Sequence, residues 1–573
     1  MSVPTLLLAL LPLLAIYLWQ RLRYLRFNQH ASWPQLPPSL LWGHMKALNE
    51  FVKRGEPRRH IDHVFGEIQQ SLGNPPLFLV DLRPVVGVIG IVCNHEVAEQ
   101  VSRSTKAFPY SMSKSPTMKP LEPLLGPHSV ITAEGEQWKA LRKRYNPGFA
   151  PQHLLTLLPC IIDKARIFIQ CLDKYVQTGE EFSLEDRCTS LTLDIIGAVT
   201  MDTDLNAQLP TNQQSQLAHR YRQLLASYGR DGKASSFHPT GLLKPFILLR
   251  RKILVHQIDL LLKTHIETKF AELQTTTNKS FSRSILGLSL QDIDYLTPRI
   301  IHETADQLKS FLFAGHDTTS ILLQWTFYEL SRTPRVLDAV RRELDAIFGK
   351  ETSSSPAAVA EILLAGGDEY LSQMTYIAAV IKEVLRLHPP SGTARYMPPG
   401  TGFTVTLPDG QTMCLDGVVI YGCATLVQRD EAVFGPTKDE FWPERWLEGT
   451  IAGGGAAVKG SSRASSDDSW ENVGGAGTEQ IPVSAWRPFE RGPRNCIGQG
   501  LVNLEVRVIL ACTVRRFDFG KVGLGAVARD AQGVPLLGPK GQLEVVEELF
   551  NTMQVTAKPV DGTKIKVRYA SWG

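Results

Sequence analysis

The chain has 573 residues, 43% hydrophobic and 21% charged, which makes it globular for most of its length and long enough for a large core. Its 61 basic and 57 acidic residues leave a net charge of +4, too balanced for a nucleic-acid binder. Eight cysteines with no CxxC pair argue against a disulfide framework or a cysteine zinc site and for a reducing compartment.

The first twenty residues, MSVPTLLLALLPLLAIYLWQ, carry no charge, and Arg21, Arg23 and Arg26 follow. A bilayer core takes roughly 20 apolar residues as a helix, so residues 1–20 read as a single transmembrane anchor. A cleaved signal peptide is the rival reading. The basic residues come after the apolar run, Tyr17 and Trp19 sit near its end, and no small-residue cleavage site follows, all of which favour the anchor. The positive-inside rule then leaves the remainder in the cytosol. Residues 21–49 read as a basic and proline-rich hinge. Within it WPQLPPSLLWGH, Trp33 to His44, is expected to be extended and semi-rigid. The globular body covers 50–573.

Helical patterns dominate from 134 to 390. EQWKALRKRYNPGF puts Trp138 and Arg142 four apart, on one face of a helix. A pattern from Pro298 to Ser331 predicts a helix about 50 Å long. Its middle, FLFAGHDTTSILLQW, holds Gly315, Thr318 and Thr319, which are weak helix formers. Thr318 is expected to bond back to the carbonyl of Ala314 and open the helix there, with Asp317 beside it as a proton source. ETSSSPAA, from Glu351, reads as a loop. IKEVLRLHPP puts Glu383 and Arg386 three apart on one helix face, in itself a weak signal. GFTVTLPDGQTMCLDGVVI, 402–420, predicts a β-hairpin around Pro-Asp-Gly. The Gly/Ser-rich stretch 451–480 is expected to be a disordered insert.

RPFERGPRNCIGQG, Arg487 to Gly500, sets a lone thiol between Gly492 and Gly498. The glycines permit tight turns and close approach of something flat. Arg494 is a cation two residues from Cys496, and Phe489 is placed to exclude water. A helical pattern resumes from Ile497 to Arg515, so the thiol lies near a helix N-terminus, whose free N–H groups favour a thiolate. A shielded thiolate is a metal ligand.

FERGPRNCIG matches F-x-x-G-x-R-x-C-x-G at every fixed position, and the chain thereby resembles the cytochrome P450 family of haem-thiolate monooxygenases. The resemblance covers roughly 30–573 and implies a mainly α fold with small β-sheets (α+β). It makes Cys496 the axial thiolate of haem b (iron protoporphyrin IX) and Arg494 a partner of a haem propionate. Phe489, Gly492 and Gly498 complete the cofactor-binding loop. FLFAGHDTT resembles the family's oxygen-activation segment, with Thr318 and Asp317 delivering protons. Glu383 and Arg386 match its ExxR motif, and FWPERW matches its P-E-R segment. Arg445 then joins them in a buried structural network. Trp138 and Arg142 match the W-x-x-x-R that contacts propionates, and Arg395 is a further propionate candidate. One position departs from the pattern: Gln428 stands where relatives usually carry His before Arg-Asp.

No flavin or nicotinamide domain is evident, so the resemblance implies electrons from NADPH through a separate NADPH-cytochrome P450 reductase, with cytochrome b5 as an auxiliary donor. The implied setting is the endoplasmic reticulum membrane. The implied reaction inserts one oxygen atom into a lipophilic small molecule, a secondary metabolite by the style of the motifs. Oxidation of a fatty acid or xenobiotic is the alternative, as is a haem-thiolate isomerase or dehydratase, which usually lacks the acid–threonine pair. Specificity is expected in segments 108–129, 217–237 and 391–397.

Overall fold

The structure, a computed structural model, describes residues 3–228, 244–275, 283–447 and 481–570, with side chains from residue 11 onward. The insert 451–480 and residues 229–237 of the second specificity segment lie outside the described residues. The chain is mainly helical with small sheets and divides into two compact units.

The first unit is Met1–Thr117, Gly392–Lys438 and Ser484–Arg494. Its centre is a five-stranded sheet in the order Leu77–Asp81, Val88–Val92, Val419–Gly422, Thr393–Tyr396, Ser113–Lys114. Val88–Val92 and Val419–Gly422 run parallel and the other neighbours antiparallel. The period of two along a strand sorts LFLVD to both faces. Leu77 and Leu79 pack with Trp33, Met112 and Ile420, while Phe78 and Val80 pack with Phe51, Phe65 and Ile68. The expected hairpin forms from Thr404–Thr406 and Thr412–Cys414, with Gly410 at φ +85° in its turn. Val419 and Ile420, read as its end, belong instead to the larger sheet.

A helix runs Val3–Arg23 and passes into a wide π-helical turn, Tyr24–Asn28. Among the described residues no helix is long and apolar enough to cross a membrane, so the transmembrane span expected over residues 1–20 finds no support here. The proline-rich segment that follows is fastened to the sheet: Leu79 N–H donates to Pro34 O at 2.9 Å, and Gln35 forms a parallel bridge with Leu79.

The second unit is Met118–Ser391, Asp439–Val483 and Asn495–Gly573. Its axis is the helix Pro298–Arg332, 35 residues long and buried over most of its length. Thr297 caps it, accepting from Ile300 N–H at 3.2 Å, and Pro298 takes the first helical position, where no N–H is needed. The helix Leu184–Met201 lies along it at Gly315, where a Cβ would come within 2.6 Å of Ile196 Cδ1. The glycine thus trades helix propensity, about 1 kcal/mol, for close helix–helix approach. ETSSSPAA is only partly the expected loop. Lys350–Thr352 is a short 3-10 turn, and a helix, Pro356–Gln373, starts inside the stretch. Ser355 caps that helix by accepting from Ala358 N–H, and Pro356 is its first residue, a start signal the serine run obscured.

Candidate functional site

The cysteine loop ends on the helix Gln499–Thr513, with Gly498 as its cap residue. Cys496 is exposed, whereas Cys93, Cys188, Cys423 and Cys512 are buried. Burial pushes those four thiols up, Cys512 to about 12, so they stay protonated. The thiol at 496 alone among these five is open to a ligand. Arg142, on the helix Gly135–Tyr145, fixes the residue before it, donating Nη1 to Asn495 O at 2.7 Å and Nη2 to Asn495 Oδ1 at 2.8 Å. Burial lowers the Arg142 pKa, and the nearby Cys496 opposes this. Trp138 is buried one turn earlier on that helix. Gly498 has φ −86°, so the turn itself does not demand glycine. A Cβ there would meet Cys496 Sγ at 3.8 Å and nothing else within 4 Å, which leaves open space beside the thiol. An accessible thiol with open space next to it fits an axial ligand.

The other residues of the motif belong to the first unit. Gly492 has φ +75°, and a Cβ on it would sit 2.1 Å from Ser102 O. Left-handed backbone and a backbone clash together predict that Gly492→Ala costs roughly 2–5 kcal/mol. Thermal unfolding should show this, and an unchanged melting temperature would refute it. Phe489 meets Trp486 edge-on at 5.8 Å, and Arg494 is buried. Arg487 is buried and forms ion pairs with Glu99 (2.7 Å) and Glu490. Its N–H donates to Gln428 Oε1 at 2.7 Å, so the departing residue holds the backbone of the cysteine loop. Arg395 is fully buried and donates to Met112 O at 3.3 Å.

In the second unit, Thr318 Oγ1 donates to Ala314 O at 2.7 Å, as its place in the helix predicts. From the helix Leu184–Met201, Thr192 Oγ1 donates to His316 O at 2.7 Å, a second diversion of the helix's own bonding. Asp317 is not a free proton source. It is buried, its Oδ1 lies 2.6 Å from Lys558 Nζ, and its Oδ2 accepts from Thr556 Oγ1. Burial would raise its pKa, but Lys558, then His316, outweigh it and hold the carboxyl below the usual range. Lys558 also reaches Glu185 at 3.2 Å. Sequence reasoning missed Lys558, Thr556 and Glu185, because the pairings join stretches far apart in the chain and leave no local motif.

Glu383, Arg386 and Arg445 come together, with their side chains almost wholly shielded from solvent. Arg386 grips both oxygens of Glu383, at 2.9 and 2.8 Å, and Arg445 Nε donates to Oε1 at 3.0 Å. Trp442 N–H (3.0 Å) and Trp446 Nε1–H (2.9 Å) complete the acceptor's shell. Burial would raise the Glu383 pKa, but Arg386 first and Arg445 next hold it low.

The family model of cytochrome P450 matches residues 34–540. The chain belongs to the cytochrome P450 family. Among its relatives, cytochrome P450 monooxygenase acrF of Aspergillus aculeatus is 31% identical over 502 residues, 86% of this chain and 94% of the relative. Cytochrome P450 monooxygenase polC of Polytolypa hystricis is 26% identical, over 87% of this chain and 84% of its own. Human cytochrome P450 4V2 is 29% identical, over 79% and 78%. This cytochrome P450 is therefore a haem-thiolate oxidoreductase of the monooxygenase type.

Proposed function

We propose that this P450 inserts one atom of O2 into a lipophilic small molecule of fungal secondary metabolism. It draws electrons from NADPH through a separate reductase, with cytochrome b5 as auxiliary donor, at the endoplasmic reticulum membrane. The observation that carries the reading is the exposed Cys496 thiol at a helix N-terminus, its loop clamped by Arg142. The similarity to monooxygenases of two fungi supports the metabolic setting. Residues 1–20 serve as the anchor, 21–49 join it to the body, and 50–573 form the catalytic body. The exposed Leu11, Leu13, Leu14, Ile16, Leu18 and Trp19 support the anchor.

When bound, haem supplies oxygen activation and the oxygen-inserting chemistry. Cys496 Sγ gives it the thiolate, and Trp138, Arg142, Arg395 and Arg494 are the polar and cationic residues for its propionates by the family motifs. Thr318 Oγ1, while donating to Ala314 O, keeps its lone pairs free to order a water. Asp317, ionised and tied to Lys558, acts as a relay: it takes up a proton as that ion pair opens and passes it on. The acid–threonine pair favours a monooxygenase over an isomerase or dehydratase. Specificity lies in segments 108–129, 217–237 and 391–397.

The test is co-expression with a reductase and a screen for substrate-induced haem spectral shifts, followed by NADPH-dependent product formation. Peroxide rearrangement without reductase would overturn the reading. Thr318→Ala should keep haem and substrate binding and still consume NADPH, while product per NADPH falls steeply and hydrogen peroxide rises. Groups of this type contribute about 10²–10⁴-fold. An unchanged product-to-peroxide ratio would reduce Thr318 to a helix kink.

A further inference from the structure

Where the long helix Pro298–Arg332 ends, the second unit encloses a cavity of about 240 Å³. Phe327 of that helix lines it, about 14 Å along the axis from Thr318 at 1.5 Å per residue, so the cavity is no part of the acid–threonine site. The helix Pro334–Phe348 lends Leu337 and Arg341 to the wall. Two antiparallel strands, Phe517–Lys521 and Lys564–Tyr569, complete it.

The inner end is aromatic. Phe327 and Phe517 are buried, and Phe519 lies with its ring centre 4.2 Å from that of Phe327 and 6.5 Å from that of Phe517. Rings so placed accept another ring offset or edge-on. The mouth is charged. Asp518 and Arg568 stand opposite each other across the two strands, with Arg568 Nε 3.3 Å from Asp518 Oδ2. Arg341 donates Nη2 to Asp518 Oδ1 at 2.6 Å and Nε to Val514 O at 3.1 Å. One carboxylate is thus shared by two guanidiniums, and the mouth keeps a positive charge in excess. Arg341 Nη1 and both Nη nitrogens of Arg568 take no part in these bonds.

These features select a ligand. A guanidinium fork matches a carboxylate, whereas an ammonium would face two cations and an acid already engaged. The volume falls below the roughly 300–1,000 Å³ of pockets that take drug-sized molecules, which leaves room for one ring and a short acidic arm. We propose that this cavity binds a small aromatic carboxylate, its ring against Phe327, Phe517 and Phe519 and its acid between Arg341 and Arg568. The site is distinct from the one that holds the oxidised substrate.

The test uses the full-length holoenzyme with an iron-coordinating azole saturating the substrate site. Calorimetry reads the binding of phenylacetate, and para-azidophenylacetate with peptide mapping reads its place. Phenylacetate should bind with the azole present, and the photolabel should fall within 327–341 or 514–519 and be suppressed by excess phenylacetate. Phenethylamine, with the same ring and the opposite charge, should bind about tenfold more weakly or less, the worth of a charge-assisted hydrogen bond. Arg568→Glu should lose affinity by about the same factor. Its side chain is 77% exposed, so the fold is spared, and an unaltered carbon monoxide spectrum verifies this. Leu337→Trp, which fills the cavity without touching the charges, should abolish the labelling. No binding in the presence of azole, label confined to other peptides, equal affinity for phenethylamine, or undiminished labelling of Arg568→Glu would each overturn the site.

Discussion

Cys496→Ala is expected to lose the thiolate-type carbon monoxide spectrum and all turnover, with the fold retained. Cys496 is exposed, so truncating it removes little buried surface, and Arg142 holds the loop through Asn495, not through the thiol. Loss of function without loss of fold separates a ligand from a core residue. The matched control is Cys512→Ala. That thiol is buried and held protonated, so its loss costs some packing stability and leaves the spectrum unchanged. Reduced carbon monoxide difference spectra and circular dichroism of both variants decide the matter. A Cys496→Ala protein that kept spectrum and turnover would sink the assignment.

Glu383→Ala is expected to be the most destabilising of the substitutions considered. It leaves the guanidiniums of Arg386 and Arg445 buried without their shared carboxylate, and it strips Trp442 N–H and Trp446 Nε1–H of their acceptor. Breaking a buried ion pair in this way costs about 3–5 kcal/mol. Trp442 and Trp446 carry the loss into the adjoining Pro443–Trp446 turn. Little folded holoenzyme should be recovered, and denaturant unfolding of what is recovered should show the loss. Glu383→Gln keeps the acceptor oxygen and should lose less. Because the folded pKa of Glu383 is lowered, its contribution is fully present above the ordinary carboxylate range, about 4.3, and disappears as pH falls through the lower folded value. Wild-type and Glu383→Gln stabilities should therefore converge in acid. A constant gap would refute the ion-pair account.

The candidate motifs were legible where they are local. The cysteine loop, the segment around Thr318 and the ExxR and P-E-R pieces are short runs whose spacing carries the resemblance, and Glu383, Arg386 and Arg445 meet in the structure as that resemblance implies. The back-bond from Thr318 to Ala314 also follows from position in a helix alone. What escaped was nonlocal. Asp317 reads from its helix as a proton source beside Thr318, and only the fold brings in Lys558 and Thr556. The proline-rich run read as a hinge because prolines signal stiffness; nothing in its residues announces the arginine at 26 that locks it to Asp81. The division into two units, with its boundary between Arg494 and Asn495 inside the signature itself, has no compositional mark either.

The amide at position 428 has a consequence for acid tolerance. Gln428 Oε1 holds the Arg487 N–H at 2.7 Å, and a carboxamide has no proton to gain as the medium acidifies. A histidine in that place would accept the same N–H only through a neutral ring nitrogen, and would forfeit it near its ordinary pKa of about 6.5. The loop leading to Cys496 is thus fastened by a bond indifferent to proton activity. Gln428→His would install a proton-triggered release in its place, so the natural residue widens the pH range over which the cysteine loop stays seated.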